Sequence, residues 1–454
     1  MRKSLVVLVL LAACGDDGVH HLPDAPAAPD AAVDGATTGP VSLTITLDGQ
    51  PVAAHDVYFQ TASGALVAKV PTNAQGIATA MMDVGGYVTT VDPFAGKLSA
   101  EDIRTFAGVK PGDQLKLRGS TGTGFITITF TAPTDANAIE YQVFSSCGAM
   151  QNLSGGGGSG GIPTGPIGLS GCGGTADFLI LTMNGSGPAN FLYKAGVAVA
   201  DQGVVDLSTE TYTSPVPSVA LDWKNVPAAF SSVSFRNVLA SARGPIFDQL
   251  LSTNLTGGVG AMTIQRGTIT NGISITSTEP TPTNGIAQQF VVNWAPAAPT
   301  ITVDLAGALL APYTTAPTIS TTTRAATWVA GAGVTPDLVV ATVSGSRTGA
   351  TGSTFWDWQI AMPYAATTFT LPVLPAGIDQ FNFVAGDTGT VSELRTAKVP
   401  GGYDAVRAEV LSASQFERFA VGPTGTLAYE QLEQVLPARR VPREKPLHRE
   451  SSAR

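Results

Sequence analysis

The stretch VSLTITL at residues 41–47 alternates apolar and small polar side chains with a period of two. This period is typical of a β-strand with one buried and one exposed face. Asp48-Gly49 follows as a turn signal, and Val57-Tyr58-Phe59 predicts the next strand. Similar runs, joined by turn residues, continue as far as residue 420. The sequence therefore predicts an all-β protein of tandem β-sandwich domains.

Residues 41–118 are predicted to form the first sandwich, with further strands at residues 66–70, 86–91 and 114–117. Three strings in this range, DGQPVAAHDVYFQ, TNAQGIATA and GGYVTTVDP, resemble the carboxypeptidase-regulatory-like, transthyretin-like β-sandwich family. The resemblance implies tandem β-sandwich domains of the Ig-like or prealbumin-like kind, which follow a signal peptide and a flexible tether, and it implies that the first domain is a non-catalytic accessory or spacer module. His55 stands beside the second predicted strand, where we expect a surface or turn position rather than a metal ligand.

Three more β domains are predicted at residues 119–213, 214–310 and 311–420, although no string of residues repeats between them. A short helix is the alternative to strand at residues 238–251. Residues 421–454 are expected to form a short amphipathic helix and then a disordered basic tail. The helix is inferred from the spacing of four apolar residues: Leu427, Leu432, Val435 and Leu436. Contact with anionic envelope polymers or lipid headgroups is the alternative role for the tail.

The composition excludes two classes of protein. Charged residues make up only 13% of the 454 residues, which is incompatible with the Glu/Lys-rich heptads of a coiled coil. Acidic residues number 34 against 25 basic ones, for a formal net charge of −9, so a basic nucleic-acid binder is excluded. Only His55 of the four histidines lies in the predicted folded body, which leaves too few imidazoles for a multi-histidine metal site.

The N-terminus carries the features of an exported lipoprotein. Arg2 and Lys3 precede a short apolar run at residues 5–11, and Leu11-Ala12-Ala13-Cys14 follows. This order resembles the bacterial lipoprotein family, and the resemblance implies that residues 1–13 are removed and that Cys14 is lipidated. Residues 14–40 are rich in Pro, Ala and Asp and are predicted to be a tether. The alternative is an ordinary cleaved signal with an unrelated cysteine.

The two remaining cysteines flank a glycine-rich segment. Cys147 and Cys172 enclose the stretch SGGGGSGGIPTGPIGLSG, a glycine-rich loop that we expect not to order itself. An exported protein meets an oxidising environment, so we predict a Cys147–Cys172 disulfide. Such a crosslink would stabilise the domain by about 3 kcal/mol in the chain-entropy model.

The strongest candidate for a ligand site is Trp356-Asp357-Trp358. Residues two apart on a strand face the same side, so both indoles would share a surface, with Tyr364 nearby. Exposed aromatic rings stack on sugars, and the Asp357 carboxylate can accept hydrogen bonds from sugar hydroxyls. The alternative is that both tryptophans pack in a sandwich core, where their large apolar area is usually buried.

Catalytic motifs are weak. Asp387-Thr388-Gly389 has the form of an aspartic-protease tripeptide, but a second copy is missing, so we interpret it as a chance match. We expect no cofactor, no metal and no catalytic residues.

The first functional hypothesis is a lipid-anchored protein of the bacterial envelope, placed at the outer membrane because Gly15 replaces the inner-membrane retention signal Asp. It would have a non-catalytic binding, adhesion or scaffold role. Its expected partners are the membrane, through the lipid anchor, and a polysaccharide or an envelope protein, but not nucleic acid. The alternatives are a polysaccharide hydrolase that uses two carboxylates and a purely structural spacer.

Overall fold

The computed structural model describes residues 37–94, 101–119, 125–148, 150–153, 162–170, 174–282, 287–349, 352–412, 416–419 and 424–433. Nearly all regular structure in these ranges is β-strand, which confirms the predicted all-β class. The described helices are short: α1 (Gly402–Val406) and three single turns of 3-10 helix. No helix within the described ranges is long and apolar enough to cross a membrane. The strands fall into four consecutive units.

The first unit is a two-layer sandwich. Its strands are β1 (Thr38–Leu47), β2 (Gln50–Pro51), β3 (Asp56–Gln60), β4 (Leu66–Pro71), β5 (Ile77–Asp83), β6 (Gly86–Val91), β7 (Glu101–Val109) and β8 (Gln114–Gly119). In one layer, β1 lies between β5, which is antiparallel to it, and β8, which is parallel. The other layer has the order β4-β3-β6-β7. The strand-and-turn pattern of the sequence thus produces the predicted sandwich.

The second and third units repeat these connections without repeating the sequence. The second contains β9 (Phe125–Thr131), β10 (Glu140–Ser145), β11 (Met150–Leu153), β12 (Thr164–Ser170), β13 (Thr175–Asn184), β14 (Gly187–Ala198) and β15 (Val204–Asp206). The third contains β16 (Ser218–Lys224), β17 (Phe230–Ser241), β18 (Gly244–Asn254), β19 (Gly260–Gln265), β20 (Ile273–Pro282), β21 (Gln288–Pro296) and β22 (Thr300–Asp304). In both, the first strand is antiparallel to the fourth and parallel to the last.

The fourth unit departs from this scheme at one position. Its strands are β23 (Tyr313–Ser320), β24 (Ala325–Ala330), β25 (Leu338–Gly349), β26 (Gly352–Pro363), β27 (Thr368–Thr370), β28 (Thr388–Lys398) and β29 (Gly425–Glu433). Each unit has a large layer and a small layer of strands. In the fourth unit the central strand of the small layer is β24, which pairs with β27 on one side. The other side, taken by a parallel last strand in the earlier units, is here taken by the preceding antiparallel strand β23.

The large layers of three units join into one sheet of twelve strands. Its order is β18-β17-β20-β21-β29-β28-β25-β26-β7-β6-β3-β4. The third and fourth units meet where β21 pairs antiparallel with β29, and the fourth and first units meet where β26 pairs parallel with β7. These units are therefore not separate beads, because main-chain hydrogen bonds run without interruption across their boundaries.

The cores lie between this sheet and the small layers. The first-unit core holds Val41, Leu43 and Ile45 of β1 against Val57 and Phe59, all fully buried. This arrangement is the direct result of the alternation at residues 41–47, since every second side chain points inward. The second unit has a sandwich core of its own. Its outer face packs on the third unit, with the rings of Phe144 and Phe247 5.1 Å apart.

The helix expected near the C-terminus and the helix alternative at residues 238–251 are both wrong. Residues 425–433 form the central strand β29, with Leu427 and Leu432 buried, instead of an amphipathic helix. Val435 and Leu436 lie outside the described residues, as does the basic tail. Residues 238–251 belong to the hairpin of β17 and β18, also instead of a helix. In both segments the pairing with distant strands overrides local helical spacing, because each new ladder adds main-chain hydrogen bonds and buried area.

Candidate functional site

Trp356 and Trp358 do not form an exposed platform. The two indoles do share one face of β26, as their spacing predicts, but both side chains have 0% of their surface exposed. The Trp356 ring packs 5.3 Å from the ring of Phe383, and Trp358 Nε1 donates a hydrogen bond to Thr105 Oγ1 at 2.9 Å. The small layer of the fourth unit covers this face, so these residues are core residues and not ligand contacts.

Tyr364, the other predicted aromatic contact, is also outside any exposed cluster. It is half-buried and packs against Trp328, with ring centroids 6.4 Å apart. Burial raises the pKa of its phenol. The predicted ligand set Trp356, Asp357, Trp358 and Tyr364 is therefore divided between two faces of the sheet.

Asp357 lies on the opposite face of β26 from the two tryptophans, because successive side chains on a strand alternate. Around it lies a continuous patch of buried and half-buried polar side chains on four adjacent strands. We call this patch the polar band. Its members are Asp102 and Arg104 of β7, Asp357 and Gln359 of β26, Thr342 and Ser344 of β25, and Ser392 and Glu393 of β28.

The register of the strands places these groups side by side. Asp357 lies opposite Asp102 on one neighbouring strand and Ser344 on the other. Gln359 lies in the same way between Arg104 and Thr342. Directly opposed side chains on paired strands are close enough to touch one ligand, so two such rows form a grid of donors and acceptors.

Hydrogen bonds within the polar band fix its side chains. Ser344 Oγ lies 2.6 Å from Asp357 Oδ1 and 3.0 Å from Ser392 Oγ. Arg104 Nε donates to Asp102 Oδ2 at 2.9 Å, and Thr342 Oγ1 donates to Glu393 Oε2 at 3.3 Å. The register of β28 shifts beside Ser392, and this irregularity turns its hydroxyl to the same face as Ser344.

Gln359 differs from its neighbours in the polar band. Its amide makes no hydrogen bond to any part of the chain that the structure describes, and the side chain is half-buried. An amide offers two donors and an acceptor with two lone pairs. Gln359 is therefore the member of the polar band with the most hydrogen-bonding capacity left for a ligand.

An ion-pair cluster locks the two units that form the polar band. The α1 segment of the fourth unit carries Arg407 and Asp404 onto the first unit, where Arg407 Nη2 lies 2.7 Å from Asp113 Oδ1. Lys110 Nζ binds the other carboxylate, Asp404, at 2.5 Å. Lys110, Asp404 and Arg407 line a cavity of about 410 Å³. Together with Asp113 they form two pairs of opposite charge, so the cluster carries no net charge. We interpret the cluster as a structural lock between the first and fourth units.

Asp387 and His55, the other polar residues that the sequence analysis singled out, make hydrogen bonds within the fold. Asp387 accepts two hydrogen bonds of 2.8 Å from Arg347, and these bonds lower the pKa of its buried carboxyl. His55 Nε2 lies 2.7 Å from Thr90 Oγ1, and burial lowers the pKa of the imidazole. Within the described residues, no group of three or more His, Cys, Asp or Glu side chains is placed to hold a metal ion.

The cysteine predictions stay predictions. Cys147 is buried in the core of the second unit, close after β10. Cys172 and Cys14 lie outside the described residues, so the Cys147–Cys172 disulfide and the lipidation of Cys14 are not tested by the structure.

Sequence reasoning identified one member of the polar band, Asp357, and missed the rest. A signal was present in β25, where Thr342, Ser344 and Ser346 alternate with apolar residues and so predict a polar face. The contribution of Asp102 and Arg104 had no such signal. They come from a strand about 250 residues away, and only the parallel pairing of β26 with β7 brings them to Asp357.

No protein-family model matches this chain, and no curated protein matches it significantly. The solved structures similar to it include the Bacillus anthracis TIE protein, at 10% identity and a TM-score of 0.16 over 59% of this chain. This match spans 51% of the TIE protein, about half its length.

Two further solved structures are an adhesion-protein repeat and a pilus adhesin. The tetra-tandem repeat in the extending region of a large adhesion protein matches at 13% identity and a TM-score of 0.13, over 79% of this chain and 94% of that one. The pilus adhesin SpaC from Lactobacillus rhamnosus GG matches at 10% identity and a TM-score of 0.12, over 72% of this chain and 43% of SpaC. These TM-scores are too low to assign a role or a family to this chain. The resemblance of residues 41–118 to the carboxypeptidase-regulatory-like family likewise stays a prediction.

Proposed function

We propose that this protein is a lipid-anchored, non-catalytic binding protein of the bacterial envelope, and that its polar band binds a polysaccharide. The observation that carries the proposal is the polar band itself. It presents hydroxyl, amide, carboxylate and guanidinium groups in register on one rigid sheet face.

The chemistry of the polar band suits a polyhydroxylated ligand. Each sugar hydroxyl both donates and accepts a hydrogen bond, so it needs acceptors such as Asp102 and Asp357 beside donors such as Arg104 and Gln359. The strands hold these groups in fixed positions, and the ion-pair lock at Arg407 holds the two contributing units together. Sites on strands are more exact in geometry than sites on loops.

The carboxylates of the polar band already serve as hydrogen-bond acceptors. Asp357 accepts from Ser344, and Asp102 accepts from Arg104. Such groups orient a ligand through its hydroxyls. The proposal therefore assigns them binding and not bond cleavage.

Replacement of Gln359 tests the polysaccharide proposal. We expect Gln359→Ala in the full-length protein, purified in detergent, to weaken binding to an envelope or capsular polysaccharide by about fivefold or more, since a hydrogen bond contributes about 1 kcal/mol. Binding would be measured by calorimetry after a screen of purified polysaccharides. The matched control is Gln265→Ala, an exposed glutamine on β19 of the third unit.

Two outcomes would contradict this proposal. Equal loss of affinity in the Gln359 and Gln265 variants would mean that the ligand does not contact the polar band. Absence of binding across the screen would instead favour the purely structural spacer.

Lipid anchoring is tested separately through Cys14. In cells expressing the full chain and fed an alkyne-labelled fatty acid, we expect the wild-type protein to take up the label and to sediment with the outer membrane. The Cys14→Ala variant should lose the label and appear in the soluble fraction, because acyl chains supply about 0.8 kcal/mol per buried CH₂ and nothing replaces them. An unlabelled wild-type protein would overturn the anchor assignment.

A further inference from the structure

Glu430 lies at the seam between the third and fourth units. It is a residue of β29, and its register partners are Gln289 on β21 of the third unit and Thr396 on β28 of the fourth. Only 1% of Glu430 and 7% of Gln289 is exposed. A carboxyl group is therefore buried at the place where the twelve-stranded sheet passes from one unit to the next.

The hydrogen bonds around Glu430 leave two acceptors without a donor. Its Oε1 atom accepts from the Tyr313 main-chain N–H at 2.9 Å. Gln289 Nε2 donates to the Leu310 carbonyl at 3.1 Å, which leaves the oxygen end of that amide unused. Glu430 Oε2 and Gln289 Oε1 are both buried and have no hydrogen-bond partner within the described ranges. A buried acceptor without a hydrogen bond lowers the stability of the folded state, and here two such acceptors occur on directly opposed residues.

A single proton satisfies both atoms. An ionised carboxylate can only accept hydrogen bonds, whereas a protonated one also donates through its O–H. Directly opposed residues of an antiparallel pair have Cβ atoms about 5 Å apart, within reach for two long side chains. Protonated Glu430 can then donate to Gln289 Oε1, and the buried negative charge disappears at the same time.

The surroundings of Glu430 contain no charge that would keep it ionised. The titratable group next to Glu430 is the phenol of Tyr313, and the phenol of Tyr364 lies close to Tyr313 in turn; burial raises the pKa of both phenols. Tyr313 Oη bonds to Thr396 Oγ1 at 2.9 Å. Among the described residues, no Lys, Arg or His forms an ion pair with Glu430. The cations on β28, Arg395 and Lys398, pair with Glu393 and Asp337 instead. Desolvation raises the pKa of Glu430 to about 7, against smaller opposing effects of the Tyr313 main-chain N–H and the Gln289 amide.

We propose that Glu430 is protonated when β21 and β29 are paired and that it then donates a hydrogen bond to Gln289. The seam between the third and fourth units is then a pH-sensitive latch, closed when the two strands are paired. In mildly acidic surroundings the latch is closed. At alkaline pH the buried charge and the two opposed acceptors weaken the pairing of β21 with β29, and the third unit separates more readily from the fourth.

The direction of the pH dependence follows from the pKa in the two states. The pKa of Glu430 is about 7 in the folded protein against 4.5 for the unperturbed group. A raised pKa means that the folded state holds the proton more tightly than the unfolded state does. The stabilisation from this proton is complete below the unperturbed value and is lost as the pH rises through the folded one.

Hydrogen exchange of the β21 and β29 amides tests the latch. In the full-length protein, we expect opening of this seam to be about tenfold or more frequent at about pH 8 than at about pH 5, after correction for intrinsic exchange rates. Glu430→Gln keeps the shape, carries no charge and can donate to Gln289, so its opening should change less than about threefold. Glu140→Gln, a half-buried carboxylate on β10 of the second unit, is the matched control and should behave as wild type.

Two results would overturn the latch. One is wild-type exchange at the seam that does not change between the two pH values. The other is a pH dependence that persists in Glu430→Gln. A carbon NMR titration of labelled glutamate in the wild-type protein gives a check that needs no variant, because a carboxyl that stays ionised throughout this range contradicts the proposal directly.

Discussion

At the scale of single residues, side-chain volume decides which residues can face the buried tryptophans. Gly345 of β25 lies opposite Trp356 of β26, and a Cβ atom placed on it would lie 2.2 Å from Trp356 Cε2. The indole occupies the space that a side chain at position 345 would need. Packing therefore requires glycine at position 345. The neighbouring pair, Ser344 and Asp357, lies on the opposite face of the sheet.

We predict that Gly345→Ala destabilises the protein by about 2 kcal/mol or more, because overpacking a filled core forces its neighbours to shift. Gly349→Ala on the same strand is the control, since the nearest atom to its added Cβ is 3.7 Å away. Thermal unfolding of the two variants measures the difference. A Gly345 variant as stable as the Gly349 variant would mean that Trp356 has room to move.

At the scale of elements, β29 holds the molecule together although it comes late in the chain. It pairs with β21 of the third unit on one side and β28 of the fourth on the other. Its buried apolar residues belong to three different cores: Leu427 and Tyr429 lie in the core of the first unit, Leu432 in that of the fourth and Ala428 in that of the third. Removal of this one strand opens all three.

We expect a chain that ends after residue 423 to lose about 5 kcal/mol or more of stability. Burial of a large apolar side chain contributes about 1.5–3 kcal/mol, and three such side chains are lost with β29. The control is a chain that ends after Glu433, which keeps the strand and removes only the segment after it. Calorimetry should show the full-length transition for the control and a lower or divided transition for the shorter chain.

At the scale of the whole molecule, edge-to-edge joining of sheets turns successive sandwiches into one framework. The order of units along the twelve-stranded sheet is third, fourth, first. The last unit in the sequence therefore lies in the middle of the sheet and joins the other two. The polar band spans the junction of the first and fourth units, and the Glu430 latch lies at the junction of the fourth and third. Both features exist only because the units share a sheet.

The sequence by itself determined the fold class and the faces of individual strands. The alternation at residues 41–47 specified the buried face of β1, and the spacing of Trp356 and Trp358 placed them on one side of β26. These are local properties, since a period of two depends only on neighbouring residues. The N-terminal lipoprotein pattern is likewise a property of the string alone.

Only the tertiary structure decided which face of β26 is buried and which strands are its neighbours. Alternation cannot distinguish a covered aromatic face from an exposed one, whereas the structure shows that the small layer of the fourth unit covers Trp356 and Trp358. Strand pairing between distant segments also converted residues 425–433 from an apparent helix into β29. The physical reason is the same in each case: burial and main-chain pairing depend on partners hundreds of residues away, which local periodicity does not record.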